Sequence, residues 1–250
     1  MLKISYYLSG FLVLSSINEI FCGVLPSNIP KCKVSDYTCI TSSINEVFRL
    51  YPKGSPSFGL DDLTRIIVPK ISLGGNDQPS NAQLNVNLNN LIFSGVENSK
   101  CLNVSGFDPD IKRVQMHFLM PHLKIKADYE INGKILFLTL NGKGPCDMVL
   151  KNVNIKLTSN IGLEKKQDHT FAIVKDMKVD FVPQDFHIHF ENLFDGNKEL
   201  TDSVNDVINE NWRDIFHVLR DSIRQAFYES LRPFISKILD VLPYDELYKD

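Results

Sequence analysis

The chain has 250 residues, enough for one large domain or two small ones, and its hydrophobic content of 43% is ordinary for a globular protein. Its formal net charge of −3 provides no basic surface of the kind that nucleic-acid-binding proteins use. Composition therefore argues against a nucleic-acid partner and leaves the fold class open.

The first 22 residues have the pattern of a secretory signal peptide. Lys3 is followed by an uncharged apolar run over residues 4–17, and the small residue Gly23 offers a cleavage point after Cys22. Asn18 and Glu19 end the run short of the roughly 20 residues that a membrane span needs. We therefore expect a secreted, extracellular mature chain, residues 23–250, that forms a single domain without stable membrane insertion.

Four cysteines remain in the mature chain, an even number for a protein sent to an oxidising compartment. Cys32 and Cys39 enclose a short loop before a predicted helix over residues 40–51, and we expect them to form a disulfide. Pairing Cys101 with Cys146 gives a second predicted disulfide. The alternatives are two buried free thiols or a zinc pair, although no CxxC motif or zinc-type spacing occurs.

Asn103 begins the sequence Asn-Val-Ser, the one N-glycosylation sequon of the chain. A glycan acceptor must be accessible, so we expect this end of a strand to face solvent. Asn103 is therefore the predicted glycosylation site.

From residue 83 the hydrophobic pattern changes to a period of two, which is typical of strands with one apolar face. The alternation recurs over residues 84–88, 114–118, 123–131, 135–140, 149–157, 171–181 and 186–190. Asn132-Gly133 favours a type I′ hairpin turn, and residues 141–144 indicate another reversal. Strands that follow one another through short polar turns predict an antiparallel meander.

The last fifty residues have the period of an amphipathic helix. Apolar residues recur in steps of three and four from Leu200 to Leu231, with charged residues on the opposite face. Pro233 lies within the pattern, and because proline removes a backbone hydrogen bond, we expect a kink there and a shorter second segment beyond it. The two segments would span roughly 60 Å if nearly straight. A compact sphere of this chain length is only about 45 Å across.

The helix and the meander each have an apolar face to bury, and each can cover the other. The predicted fold is therefore α+β, with a long, highly curved antiparallel sheet wrapped around the C-terminal helix. Inward-facing residues would either fill a core or line an apolar tunnel, which periodicity does not separate. The candidate ligand-lining residues are Phe118, Tyr129, Phe137, Phe181, Phe190, Trp212, Phe216, Leu219, Ile223 and Phe227.

Several segments resemble a known family. The run ENLFDGNKELTDSVNDVINENWRDIF, residues 191–216, is similar to the C-terminal signature of the insect takeout family, within the juvenile hormone-binding protein superfamily. The ending VLPYDELY, the early cysteine pair and the run GKGPCDMVLKNVNIKL, residues 142–157, are similar as well. The resemblance covers essentially the whole mature chain. It implies a secreted haemolymph carrier that holds juvenile hormones, fatty acids or other terpenoid-like lipids in an internal tunnel.

Catalytic motifs give no support to an enzyme. No GxSxG, HExxH, P-loop or GxGxxG sequence occurs, and His187 and His189 have no third metal ligand that the sequence identifies. We therefore interpret the chain as a non-enzymatic carrier of a small hydrophobic ligand, without a cofactor or metal. The alternatives are a lipid-transfer or bacterial-lipid-binding protein of the same architecture, a protein-binding module with a filled interior, and a secreted lipid esterase.

Overall fold

A computed structural model describes residues 23–74, 82–106 and 113–248, so the predicted signal peptide lies outside the described residues. The described chain combines α-helices with an antiparallel sheet, and the predicted α+β class is confirmed. The helices are α1 (Tyr37–Leu50), α2 (Lys198–Glu210), α3 (Trp212–Val218) and α4 (Arg220–Val241). The strands are β1 (Ile66–Leu73), β2 (Ala82–Ser94), β3 (Lys100–Ser105), β4 (Arg113–Ile135), β5 (Leu138–Lys166), β6 (His169–Val182) and β7 (Asp185–Phe190).

The sheet is built around its two longest strands. The strand order is β1-β2-β4-β5-β6, with β3 also paired to β4 and β7 to β5. β4 has 23 residues and β5 has 29, and at about 3.3 Å per residue a straight β4 would be roughly 75 Å long. Register shifts at Asn89/Ile92, Cys101/Asn103 and Asn160/Ile161 mark irregularities of the kind that bend and twist a strand. The sheet can thus curve around the C-terminal helices, as predicted.

The hairpin between β4 and β5 turns at residues 136–137, so the predicted turn at Asn132-Gly133 is wrong. Both of those residues pair in regular register within β4. β5 runs on through residues 141–144, and the reversal predicted there is also wrong. Gly133 has a φ of 127°, and a Cβ at this position would collide with the backbone carbonyl oxygen of Gln83 on β2. The glycine therefore serves close strand approach and not a turn.

The C-terminal helical region is divided at Asn211 and Leu219, which separate α2, α3 and α4. α4 continues as one helix through Pro233, so the predicted separate second segment is wrong, whereas the predicted kink stays a prediction. Proline removes the hydrogen bond to the carbonyl of Glu229, but Glu229 is exposed and water can satisfy that oxygen. The apolar residues beyond the proline keep their helical spacing and their packing, which outweighs one lost hydrogen bond.

The predicted disulfide Cys32–Cys39 is confirmed, whereas the predicted pairing of Cys101 with Cys146 is wrong. Both of these thiols are buried and free. Cys101 lies opposite Phe118 of β4, and Cys146 lies opposite Ala127 of the same strand. Nine residues of an extended strand separate those two positions, about 30 Å, while a disulfide needs α-carbons within about 7 Å.

Candidate functional site

Two asparagines of α2 attach this helix to the edge strand β7. The Oδ1 atom of Asn205 accepts a hydrogen bond from the Phe190 N–H (2.9 Å), and its Nδ2 donates to the Phe190 carbonyl (2.8 Å). Asn209 makes the same pair of bonds with Ile188, both at 2.8 Å. Sequence reasoning missed both residues, although their spacing of four places them on one helix face. The nearby Asn211 does not share this role, because its side chain donates to the Val207 carbonyl of α2.

A cavity of about 380 Å³, the larger cavity, lies between α1, the second half of α4 and the inner face of the sheet. Its size falls within the range of about 300–1,000 Å³ that is usual for small-molecule sites. Its lining includes Ile40, Ile44, Val47 and Phe48 of α1, Leu231, Phe234, Ile235 and Ile238 of α4, and Val114, Met116, Phe118, Leu157 and Met177 of the sheet. The larger cavity can thus accommodate a small apolar molecule.

A second cavity of about 160 Å³, the smaller cavity, lies towards the hairpin between β4 and β5. Its volume is below the usual range for small-molecule sites. Its lining includes Leu84, Ile131, Ile135, Leu140, Ile188, Ile208, Trp212, Phe216, Leu219 and Ile223. This end of the interior is mainly a packed core.

The two cavities share no lining residue. Phe181 and Phe227 both line the smaller cavity, and their rings stack with centroids 4.1 Å apart. Leu231 lies four residues beyond Phe227 on α4, a rise of about 6 Å, and already lines the larger cavity. Ile155, the cross-strand partner of Phe181, lines the larger cavity too. The Phe181–Phe227 pair therefore lies between the residues that line the two cavities, and we call this pair the partition.

Most of the predicted lining residues surround the smaller cavity. These are Phe181, Phe190, Trp212, Phe216, Leu219, Ile223 and Phe227. Phe118 alone among the ten lines the larger cavity. Sequence reasoning missed the contribution of α1, although the amphipathic pattern of that helix is a signal that it covers an apolar surface.

Tyr129 and Phe137 line neither cavity. The Tyr129 hydroxyl donates a hydrogen bond to the Glu191 carbonyl at 2.5 Å, and its ring contacts Phe190 with centroids 4.7 Å apart. Burial raises the pKa of Tyr129. Phe137 lies in the turn between β4 and β5 and is 70% exposed, so its predicted place in the lining is wrong. The Tyr129 hydroxyl joins β4 to the segment before α2, and is not available to a ligand.

α1 covers the larger cavity and is held in place at several points. The disulfide Cys32–Cys39 closes the loop that precedes and enters the helix. The side chain of Asn45 bonds both the N–H (2.8 Å) and the carbonyl (2.9 Å) of Cys101 on β3. The ring of Phe48 contacts that of Phe118 edge to face, with centroids 6.2 Å apart. α1 is thus attached to the sheet in the same manner as α2, through an asparagine on strand backbone.

Few polar groups reach the larger cavity. The described lining contains no charged residue, histidine or amide side chain, and its oxygen-bearing side chains are Ser43, Ser99, Ser159 and Tyr248. Ser43 and Ser159 each donate to a backbone carbonyl oxygen at 2.8 Å. Ser99 is only 7% exposed, and its hydroxyl has no hydrogen-bond partner among the described residues. The larger cavity is therefore neutral and almost entirely apolar.

An ion-pair cluster joins β6 to α4 next to the partition. Asp180, the neighbour of Phe181, accepts hydrogen bonds from Arg224 at 2.7 Å and from Arg220 at 3.0 Å. The hydrogen bond from Arg224 is the main reason that the pKa of Asp180 is lowered, and Arg220 adds to it. This cluster braces the partition from the solvent side.

Other kinds of site find little support in the part of the chain that the structure describes. No group of His, Cys, Asp and Glu side chains there is arranged to hold a metal ion. His187 and His189 are exposed on β7. None of the described helices is long and apolar enough to cross a membrane. Asn103 is exposed on β3, as a glycan acceptor must be.

Several known proteins are similar to this chain in sequence or in structure. The model of the haemolymph juvenile hormone binding protein family matches residues 10–249. The circadian clock-controlled protein daywake of Drosophila yakuba is 28% identical over 233 residues, and that of Drosophila melanogaster is 24% identical over 229 residues. Each alignment covers 90% of this chain and 88% of the relative. The crystal structure of Epiphyas postvittana Takeout 1 superposes with a TM-score of 0.76 at 25% identity, covering 88% of this chain and 99% of that one.

Proposed function

Because this chain belongs to the haemolymph juvenile hormone binding protein family, we propose that it is a secreted, non-enzymatic carrier of a small hydrophobic ligand. The ligand class is a juvenile hormone-like terpenoid, a fatty acid or a similar lipid. The observation that carries the proposal is the apolar cavity of about 380 Å³ between α1, α4 and the sheet. A cavity of this size argues against the alternative of a filled interior.

Burial alone provides enough free energy for useful affinity. A ligand with about fifteen buried carbon atoms gains roughly 10 kcal/mol before costs, at about 0.8 kcal/mol for each methylene. Several kcal/mol are lost when the ligand is immobilised, which leaves an expected dissociation constant in about the micromolar range. Binding of this kind requires shape and apolar surface, and no catalytic group.

In this proposal the residues before Gly23 direct secretion and are removed, and Asn103 carries a glycan. α1 lies between the larger cavity and solvent, so it separates the bound ligand from water. Residues from α1 and from the second half of α4 would contact the ligand, and Phe118 would contact it from the sheet.

The experiment begins with the full chain expressed in cultured insect cells. Protein recovered from the medium should begin near Gly23 and, in native mass spectrometry, should have an excess mass that organic extraction removes. After extraction, it should bind a naphthylamine dye whose fluorescence rises in apolar surroundings. Protein that stays in the cells would contradict secretion. Extracted protein that neither had excess mass nor binds the dye would contradict the carrier function.

A further inference from the structure

We propose that the partition limits the length of the ligand: the larger cavity holds the whole buried part of the molecule, and a longer chain gains no further affinity. This inference rests on the proposed carrier function and narrows the ligand to molecules that fit on one side of the Phe181–Phe227 pair.

The two rings of the partition are packed closely within the interior. Their centroids lie 4.1 Å apart, with an angle of 26° between the ring planes. Phe181 is buried, and its ring also stacks with that of Phe216, with centroids 6.2 Å apart. Protein interiors are close-packed, so a stacked and enclosed ring has little room to swing aside for a ligand. The pair should therefore stay in place when a chain enters the larger cavity.

α4 and β6 pass from one cavity to the other at these two rings. On α4, Ile223 lines the smaller cavity and Leu231 lines the larger one, and each is four residues from Phe227. On β6, Met177 lines the larger cavity and lies four residues before Phe181. Side chains four residues apart lie on the same face of a helix and of a strand. The inner face of each element thus changes cavity at a phenylalanine.

The sheet is solid at the same level. Along β5, Leu150 lines the smaller cavity and Ile155 lines the larger one. Val153 lies between them, and Leu123 lies opposite Leu150 on β4. Val153 and Leu123 are fully buried, line neither cavity and belong to the same hydrophobic cluster as Phe181. Apolar packing therefore separates the cavities on the sheet side as well as at the rings.

Phe227 is the residue that should set the limit, because it packs towards both cavities. It contacts the cluster that contains Phe181 and surrounds the smaller cavity. It also contacts a second cluster, formed by Leu157, Met177 and Val179. Leu157 and Met177 line the larger cavity. Removal of the Phe227 ring should therefore join the two spaces.

Saturated methyl esters of increasing length, from methyl octanoate to methyl octadecanoate, measure the limit by displacement of the naphthylamine dye from the extracted protein. In the wild type, affinity should rise about fourfold with each further buried methylene. It should stop rising once the chain fills the larger cavity, because the next methylene meets the partition or remains in water.

Substitutions assign the limit to Phe227. In Phe227→Ala the longest esters should extend into the smaller cavity and bind at least about tenfold more tightly than to the wild type, the worth of two further buried methylenes. Esters shorter than the limit should bind as before. Phe216→Ala removes the same ring beside Phe181, but from a residue that lines only the smaller cavity. It is the matched control and should keep the wild-type limit.

Thermal unfolding shows whether each variant is folded. Phe227→Leu keeps an apolar side chain on α4 and replaces Phe227→Ala if the alanine variant does not fold. It should move the limit in the same direction by a smaller amount.

The length limit is overturned if wild-type affinity rises evenly up to the longest ester, or if every folded Phe227 variant keeps the wild-type limit. It is also overturned if Phe216→Ala moves the limit as far as the Phe227 variant does. The carrier function survives each of those results, because the esters still bind. If neither the dye nor any ester binds the extracted wild-type protein, the carrier function fails, and the length limit fails with it.

Discussion

The two ends of the interior are built differently although both are apolar. At the smaller cavity, two asparagines fasten α2 directly to the backbone of β7, and the space left inside is only about 160 Å³. At the larger cavity, the second half of α4 faces the sheet across aliphatic side chains, and α1 closes the space as a separate cover. The difference teaches that two asparagines bonded to one strand, as in α2, go with a tightly packed interior, whereas α1, held to β3 by a single asparagine, Asn45, covers a cavity.

The largest expected effect is on the alkylation rates of the two free thiols, one at each end of the interior. Burial raises the pKa of Cys101 from an ordinary value of 9.0 to about 11 and that of Cys146 to about 12. The thiolate fraction at neutral pH should therefore fall about 100-fold for Cys101 and about 1,000-fold for Cys146. We expect slow alkylation of the native protein, with Cys101 modified first because α1 can separate from the sheet more easily than β7. Two thiols should react in denaturant.

Residue-resolved mass spectrometry after timed alkylation measures both rates. If no thiol reacted in denaturant, Cys101 and Cys146 would have to form a disulfide, contrary to the structure. Faster modification of Cys146 than of Cys101 would show that the smaller-cavity end opens first, which would reverse the comparison.

The hydrogen bonds that attach α2 to β7 beside the smaller cavity should be a major source of stability. Asn205→Ala leaves the buried N–H and carbonyl of Phe190 without partners, and it should lower the free energy of unfolding by about 2–4 kcal/mol. Asn211→Ala removes a bond within one helical region and should cost less than about 1 kcal/mol. Chemical denaturation of the two variants provides the measurement. If both variants lost the same free energy of unfolding, the bonds between α2 and β7 would contribute no more than a bond within one helical region.

A phenylalanine substitution beside each cavity should show which cavity holds the ligand and which is part of the packed core. Ile235→Phe adds volume in the larger cavity, so stability should hold while affinity for an apolar ligand falls about tenfold, the worth of about two buried methylenes. Leu219→Phe adds volume beside the smaller cavity, at a residue only 8% exposed. It should cost about 1–3 kcal/mol of stability by overpacking and leave binding unchanged. Thermal unfolding and dye titration distinguish the two, and the opposite pattern would place the ligand at the smaller cavity.

The smallest expected effect concerns the ion pair between Asp180 and Arg224, which lies beside the partition. The pKa of Asp180 in the folded protein is lowered by its hydrogen bond with Arg224, so its stabilisation is present above the ordinary aspartate pKa and is lost as the pH falls through the folded value. Because the pair is substantially exposed, Asp180→Asn should lower the free energy of unfolding at neutral pH by less than about 1 kcal/mol. The difference from wild type should vanish in acid. A difference that persists there would show that charge is not the cause.

The sequence predicted the faces of the strands and the amphipathic helices well, because burial of one face imposes a period that a single chain displays. It failed where a residue type has two uses. Gly133 reads as a turn residue but permits close approach to β2, and Pro233 reads as a helix breaker but is tolerated on a partly exposed helix. The pairing of Cys101 with Cys146 failed because an even count says nothing about distance. The partition between the cavities depends on how two rings stack, which no periodicity encodes.

The most direct test of the central claim is a crystal structure of the extracted protein with methyl dodecanoate. We expect one elongated ligand in the larger cavity, between α1 and the second half of α4, that ends before the Phe181–Phe227 pair. Ligand confined to the smaller cavity, or bound on the outer surface with the larger cavity free of it, would contradict the account.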